Sequence, residues 1–120
     1  TTQEDLGEAV FNRVGCAACH RPSLPDDQGR PVALYSDLLL HDVAADGARG
    51  VADADVSARE FRTAPLWGIA RSAPYMHDGR ASTVEAAIAA HHREGEGSSR
   101  AVSALSAGDR AALVAFLRSL

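Results

Sequence analysis

The sequence is poor in aromatic residues and contains only two cysteines. Aromatic side chains make up 5% of the 120 residues, although apolar residues as a whole make up 46%. A chain of this length forms one domain, near the lower limit for a self-sufficient hydrophobic core. Two cysteines are too few for a disulfide-stabilised scaffold. Because the core has so few large side chains, we expect a bulky non-protein group to complete it.

The charge and hydropathy of the chain argue against two further classes of partner. The formal net charge is −4, and no lysine-rich or arginine-rich face is recognisable. Nucleic acid and anionic membranes are therefore not expected as partners. No apolar run approaches the length of a membrane span. No signal peptide is recognisable at Thr1, so an exported protein would carry this sequence as its mature or trimmed chain.

A helical pattern begins the sequence. In segment 4–14, Leu6, Val10 and Val14 recur every four residues, which is the spacing of one face of an amphipathic helix. Gly15 ends this pattern. We expect this helix to cross a helix at the C-terminus of the chain.

Two capping pairs predict helices in the second half. Ser82 and Glu85 precede an alanine-rich segment, and they predict a helix over residues 83–92. Ser106 and Asp109 form a second pair before the C-terminal helix, whose leucines and phenylalanine share one face.

The middle of the chain shows no clear periodicity. Prolines and a glycine make residues 21–31 a loop, and residues 34–42 form an apolar run that fits either a strand or a helical turn. Residues 43–58 are small and acidic and indicate a surface excursion, whereas residues 61–80 indicate irregular, buried chain. Because helical signals dominate, we expect an all-α fold with minor or no strands, in a single domain over residues 1–120.

The segment "GCAACH" carries the strongest chemical signal in the sequence. Cys-x-x-Cys-His is the attachment signature of c-type haem. Each sulfur forms a thioether with a former vinyl group of the porphyrin, and the two-residue gap matches the distance between those groups. The adjacent histidine then lies beneath the iron as an axial ligand. The pattern predicts one haem c bound covalently through Cys16 and Cys19, with His20 on the iron.

Two other kinds of site use cysteines at this spacing. A thioredoxin-like dithiol needs a strand before the motif and a helix after it, but here a predicted helix precedes and a proline-rich loop follows. A zinc site needs two more ligands at a paired spacing, whereas His91 and His92 are adjacent and would point apart on a helix. Haem is the favoured interpretation, and it also accounts for the aromatic-poor core.

The second axial ligand of the iron has several candidates. On the predicted helix over residues 83–92, His91 falls in the middle of the apolar face, whereas His92 falls at its margin. Met76 is the only methionine, and methionine is a common ligand in electron-carrying cytochromes, yet it could equally fill a packing gap. His91 could equally be a hydrogen-bonded core histidine. The full set of candidates is Met76, His77, His41, His91 and His92.

Five segments of the sequence occur in the order seen in one protein family. They are "CAACHRPSLP", "LYSDLLLHD", "FRTAPLWGIA", "HDGRASTVEAAI" and "LVAFLRSL". The chain thus resembles the C-terminal half of the bacterial di-haem oxidoreductases, which are called peroxidases or thiol oxidoreductases and are related to di-haem cytochrome c peroxidases. The resemblance implies a cytochrome c-like fold and a periplasmic location.

The resemblance also implies roles for individual residues. In the family, an axial ligand lies fourteen positions after the histidine of the His-Asp-Gly turn, and from His77 this count reaches His91. By the same resemblance, His41 and His77 make hydrogen bonds near the haem and Trp67 packs against it. Arg62 pairs with a haem propionate or stays on the surface.

The chain differs from the family pattern in several respects. Family members carry two Cys-x-x-Cys-His motifs, one in each domain, and this chain has one. The domain resembles the electron-entry half of the family. With one motif, it is either a domain excised from a larger protein or a natural single-haem protein. Met76 stands where phenylalanine or leucine is common and resembles a packing substitute. His92 stands where glycine is common and adds a second possible ligand.

Two functions fit the sequence. The first is electron transfer by a haem with two protein ligands, with other redox proteins or a second haem domain as partners. The alternative is a peroxidase with a vacant or labile distal position, in which His41, His77 or His92 would supply acid/base chemistry.

Overall fold

The structure is a computed structural model that describes residues 2–47 and 50–120. Four helices and four short strands alternate with long loops and three 3₁₀ turns. The helices are α1 (Gln3–Arg13), α2 (Val84–Ala89), α3 (Glu96–Ser103) and α4 (Ala107–Ser119). The strands are β1 (Leu24–Pro25), β2 (Pro31–Val32), β3 (Leu40–His41) and β4 (Phe61–Arg62), and the 3₁₀ turns span Cys16–Ala18, Ile69–Arg71 and Arg93–Gly95.

Helices α1 and α4 cross at very close range. A Cβ atom at Gly7 would lie 2.0 Å from the carbonyl oxygen of Ala112 and 2.5 Å from the Cβ of Phe116, so only glycine fits at this crossing. Beside it, the rings of Phe11 and Phe116 meet edge to face with their centroids 5.4 Å apart. Leu113 is fully buried under them. The predicted crossing of the first and last helices is confirmed.

The ends of these two helices are fixed by polar caps. Thr2 and Asp5 form a reciprocal capping box at the start of α1. The Ser106 hydroxyl accepts a hydrogen bond from the Asp109 N–H at the start of α4, as its sequence spacing predicts. Helix α4 therefore begins where its short-range sequence signal places it, whereas the capping box of α1 was not predicted.

Helix α2 is shorter than predicted. Its N-cap is Thr83, which accepts from the Ala86 N–H, rather than Ser82. The helix ends at Ala89 instead of reaching residue 92. The next helix, α3, begins directly after Gly95 and contains Gly97 in its first turn. Glycines lower helix propensity, and no sequence pattern predicted this helix. Its buried residue is Val102, which belongs to the core formed by α1 and α4.

The expected all-α fold class is wrong, because the fold mixes helices with two small antiparallel sheets. Strand β1 pairs with β2, and strand β3 pairs with β4 across a long excursion of the chain. Each strand is only two residues long. A two-residue strand is too short to show the alternation that identifies strands in a sequence. The residue pairs are Leu24 with Val32, Pro25 with Pro31, Leu40 with Arg62 and His41 with Phe61.

Backbone hydrogen bonds hold the long loops against one another. The Leu66 N–H donates to the Leu34 carbonyl over 3.1 Å, which extends the contact beside β3 and β4. On the other side, the His92 N–H donates to the Val43 carbonyl over 2.7 Å. The segment after α2 is thus tied directly to the segment after β3. Within the described residues, no helix has both the length and the apolar character needed to cross a membrane.

Candidate haem site

The two cysteines lie on a short turn that leaves α1. Gly15 adopts a left-handed backbone (φ +91°) and redirects the chain into the 3₁₀ turn that begins at Cys16. The His20 N–H donates to the Cys16 carbonyl over 2.9 Å, which closes this turn. Cys16 and Cys19 are free and partly buried. Burial raises the pKa of the Cys16 thiol to about 11, so this sulfur is protonated near neutral pH.

His20 is held by the chain on the opposite side of the loop. Its Nδ1 lies 2.9 Å from the carbonyl oxygen of Tyr35, to which it can donate a hydrogen bond. Tyr35 has a left-handed backbone (φ 54°), and its ring packs edge to face against Phe11 and Phe116. Burial lowers the pKa of His20, which favours the neutral imidazole that binds metals. The Tyr35 carbonyl thus engages Nδ1 of His20, and within the described residues no hydrogen bond to its Nε2 is present, although the Ala64 backbone also lies near the ring.

His91 lies two residues beyond the end of α2. Its Nδ1 is 2.7 Å from the Ala87 carbonyl oxygen, so the side chain stays aligned with the last turn of the helix. Gly95 packs directly on this side chain, since a Cβ at that position would lie 2.9 Å from the His91 Cβ. These two contacts fix the ring from both sides and leave its Nε2 available as well.

The structure places the rings of His20 and His91 opposite each other. Their centroids are 6.4 Å apart and their planes are inclined by 57°. Two imidazoles that bind one metal ion from opposite sides, through bonds of about 2 Å, have centroids about 6 Å apart. In both rings a backbone carbonyl engages Nδ1, which is the usual arrangement for histidines that bind metal through Nε2. The donor set therefore fits an iron held between these two histidines.

His41 differs from these two histidines, because both of its ring nitrogens already have partners. Nε2 lies 2.8 Å from Asp37 Oδ2, and Nδ1 lies 3.2 Å from Glu94 Oε1. A ring nitrogen of His41, a carboxylate oxygen of Asp37 and the Sγ of Cys19 lie within 4.8 Å of one another. His41 thus lies near the cysteine turn, and both of its ring nitrogens contact carboxylates.

The remaining candidate ligands lie in varied surroundings. Met76 has a left-handed backbone (φ 69°) in a turn closed by the Gly79 N–H. The ring of His77 stacks on Phe61 with centroids 4.0 Å apart. His92 is exposed, as its position at the margin of the apolar face predicts. Among the described histidines, His91 is the one whose ring faces that of His20.

Two further residues to which the family resemblance gave roles at the haem are exposed. Trp67 is 55% exposed and lies outside the buried core. Arg62 is exposed on β4, opposite Leu40. Their expected contacts with the ring and with a propionate remain predictions.

Several residues that shape the site received no role from the sequence, although Tyr35 and Asp37 lie in the segment "LYSDLLLHD". Tyr35 acts through its carbonyl, which every residue possesses, so side-chain identity could not reveal it. Gly95 acts through the absence of a side chain. Asp37 and Glu94 meet at His41 only because the loops fold together, although the spacing of Asp37 and His41 hints at their contact. Each of these residues contacts a histidine that the sequence had singled out.

The comparison with protein families agrees with this chemistry. Residues 2–120 match the family described as "Di-haem oxidoreductase, putative peroxidase". The chain belongs to the di-haem oxidoreductase family. It is accordingly a haem-binding protein of a redox family. This membership agrees with the resemblance read from the five ordered segments.

The chain matches parts of two longer proteins. It is 29% identical, over 147 aligned positions, to cytochrome-c peroxidase IdrP2 of Pseudomonas sp. strain SCT, covering 100% of this chain and 40% of that protein. A structure of Kuenenia stuttgartiensis hydrazine synthase superposes with a TM-score of 0.70 and 27% identity, covering 100% of this chain and 46% of that one. The chain therefore spans less than half the length of either relative.

Proposed function

We propose that residues 1–120 form a single c-type haem domain that transfers electrons. One haem would be attached through Cys16 and Cys19, with His20 and His91 as its two axial ligands. A bound haem supplies a one-electron redox centre, and the protein supplies ligands, burial and orientation. The opposition of the two histidines, with both Nδ1 atoms engaged by carbonyls, is the observation that carries this proposal.

Two histidine ligands favour electron transfer over substrate chemistry. With both axial positions filled by protein, no position on the iron is free for a small molecule. The ligands are fixed by backbone contacts, so little needs to rearrange when the iron changes its charge. Partners would be other redox proteins or a second haem domain, met in the bacterial periplasm, where haem c is attached.

A substitution at His91 tests this proposal. We expect the purified, haem-loaded chain to be low-spin in the ferric form and not to bind carbon monoxide when reduced. His91→Ala should create an open iron that is high-spin and binds carbon monoxide rapidly. His92→Ala is the matched control, because the neighbouring histidine is exposed, and it should behave as wild type. Rapid carbon monoxide binding by the unaltered protein would overturn the assignment.

Peroxide chemistry is the second candidate, and the name of the peroxidase relative favours it. In that case this chain would be the electron-entry half of a longer di-haem peroxidase, or would open its own distal position. The geometry of His41 argues against an acid/base role, since both ring nitrogens face carboxylates. Appreciable hydrogen peroxide turnover by the isolated chain, lost in His41→Ala or His77→Ala, would support the peroxidase and contradict the electron carrier.

A further inference from the structure

We propose that His41 is a positioning residue that joins the two ligand-bearing segments of the site and sets the reduction potential of the bound haem. This inference rests on the proposed function. It concerns a side chain that binds no metal and acts through its two carboxylate partners. Two sets of observations support it: the two hydrogen bonds of His41, and the backbone hydrogen bonds that hold Asp37 and Glu94 in place.

The first partner of His41 belongs to the haem-attachment side. Asp37 is almost completely buried, with 7% of its side chain exposed. Its N–H donates to the Cys19 carbonyl over 2.8 Å, and its Oδ1 accepts from the Leu39 N–H over 2.9 Å. Asp37 is therefore fixed to the turn that carries Cys19 and His20. The Nε2 of His41 contacts the other oxygen of this carboxylate.

The second partner belongs to the segment that carries His91. Glu94 lies three residues after His91, within the 3₁₀ turn that packs Gly95 against the His91 side chain. Its carboxylate accepts from both His41 and the Asp42 N–H. The Glu94 N–H donates a hydrogen bond to the Asp42 carbonyl over 3.2 Å. A displacement of Glu94 would therefore also displace the 3₁₀ turn that packs against His91.

The protonation state of His41 decides whether both links form. A protonated imidazole donates from both nitrogens, so it can satisfy Asp37 and Glu94 together. The neutral ring has one N–H and can serve only one of them as a donor. The hydrogen bond to Asp37, followed by that to Glu94, raises the pKa of His41 despite partial burial.

Among the described residues, the charged groups that act on His41 are Asp37 and Glu94. Across the β3–β4 pair it faces the apolar Phe61, whose ring stacks on His77. Its sequence neighbour Asp42 is paired with Arg59 and Arg93. The Cys19 sulfur carries no charge once it forms a thioether. The positive charge of His41 therefore lies between two carboxylates and beside the sulfur that would anchor the ring. That charge favours the reduced iron, which is the less positive form.

The test is the pH dependence of the reduction potential of the haem-loaded chain. We expect the wild-type potential to fall as the pH rises through the pKa of His41, which lies above its ordinary value of 6.5. His41→Gln should lower the reduction potential at acidic pH and abolish this fall of the potential with rising pH. His92→Gln, which removes an exposed histidine, should keep both. An unchanged slope in His41→Gln would assign the titration to propionates or another group and overturn the proposal.

A second measurement does not depend on any variant folding. If the charge of His41 changes the potential, then reduction of the iron must raise the pKa of His41 by the same coupling. A histidine titration followed by nuclear magnetic resonance should therefore give a higher His41 pKa in the ferrous than in the ferric protein. Equal values would refute the coupling. A wild-type protein without a low-spin, two-histidine spectrum would instead refute the proposed ligation, so the two failures are distinguishable.

Discussion

The helical frame and the site loops of this molecule are held together in different ways. The helical frame, α1 and α4, is held by close apolar packing at Gly7 and by a cluster of edge-to-face rings. The site loops, residues 16–22, 34–43 and 91–95, are held mainly by hydrogen bonds to backbone carbonyls and carboxylates. They also contain left-handed residues that are not glycine.

The difference shows how a small domain can carry a large cofactor. The helical frame supplies a core that forms from local sequence signals, and it anchors the site through Tyr35, whose ring belongs to the aromatic cluster. The site loops then present histidines whose orientation depends on a few polar contacts. We therefore expect changes in the frame to alter stability and changes in the loops to alter spectra and potential.

Removal of the attachment cysteines should have the largest effect. In the double substitution Cys16→Ala and Cys19→Ala, no thioether can form, so we expect complete loss of covalently bound haem. Haem staining after denaturing electrophoresis measures this directly. Each single substitution should leave one thioether and a shifted absorption band. Covalent haem in the double variant would mean that the haem is attached elsewhere.

A substitution in the helical frame should come next. Gly7→Ala would place a Cβ 2.0 Å from the Ala112 carbonyl oxygen, so α1 and α4 would have to separate. We expect a loss of about 2–3 kcal/mol in the free energy of unfolding, with the spectra of the haem-loaded protein unchanged. Gly108→Ala is the control, because a Cβ there meets only Ser106, at 4.0 Å. Equal stabilities of the two variants, measured by denaturant unfolding, would contradict the crossing.

A glycine substitution in the site loops should change the haem spectra and potential more than the stability. Gly95→Ala would place a Cβ 2.9 Å from the His91 Cβ and 3.3 Å from its Cδ2. We expect a stability loss of only about 1 kcal/mol, together with a shifted potential and partial carbon monoxide binding. Gly97→Ala, where a Cβ meets nothing within 4 Å, should show neither change. A wild-type spectrum in Gly95→Ala would mean that Gly95 does not hold His91.

The pH dependence of folding should show the smallest effect, and it isolates the link at His41. The pKa of His41 is raised, so its contribution to stability is complete below its ordinary 6.5 and is lost as the pH rises through the raised folded value. Burial opposes the shift at Asp37, but hydrogen bonds from His41 and the Leu39 N–H lower its pKa. The Asp42 N–H, followed by His41, lowers the pKa of Glu94.

These carboxylates therefore contribute above their ordinary values of 3.8 and 4.5 and lose that contribution as the pH falls. The hydrogen bonds of His41 to Asp37 and Glu94 therefore contribute most to stability at pH values above the pKa of both carboxylates and below the pKa of His41. Denaturant unfolding across this range should show that the difference between wild type and His41→Gln is greatest in that window. A difference that does not vary with pH would indicate a purely steric role for His41.

The helical frame could be predicted from sequence because its signals are local. The four-residue spacing in α1 and the Ser106 cap each act within one or two turns of helix. Of that spacing, Val10 and Val14 are buried, whereas Leu6 is exposed. The pairing of β3 with β4 could not be predicted, since it joins two-residue segments across a long excursion. The same holds for Tyr35, where tertiary contacts impose a left-handed backbone that its residue type does not favour.

The candidate site was predictable in its chemistry but only partly in its support. The Cys16–His20 motif predicts haem attachment within a single turn, and the position of His91 on a helical face predicts that this side chain points inward. That inference used a helix that in fact ends at Ala89. The His91 ring nevertheless faces that of His20, because the bond to the Ala87 carbonyl continues the direction of the helix. Asp37 and Glu94 come together only in the folded chain.

The most direct test of the account is the ferric electron paramagnetic resonance spectrum of the purified, haem-loaded protein, recorded with its optical spectrum. We expect a low-spin signal typical of two imidazole ligands, with no methionine-to-iron charge-transfer band. A low-spin signal that shows this band would transfer the second ligand position to Met76. A high-spin signal would mean an open iron, and it would contradict the assignment of His20 and His91 and the electron-transfer function built on it.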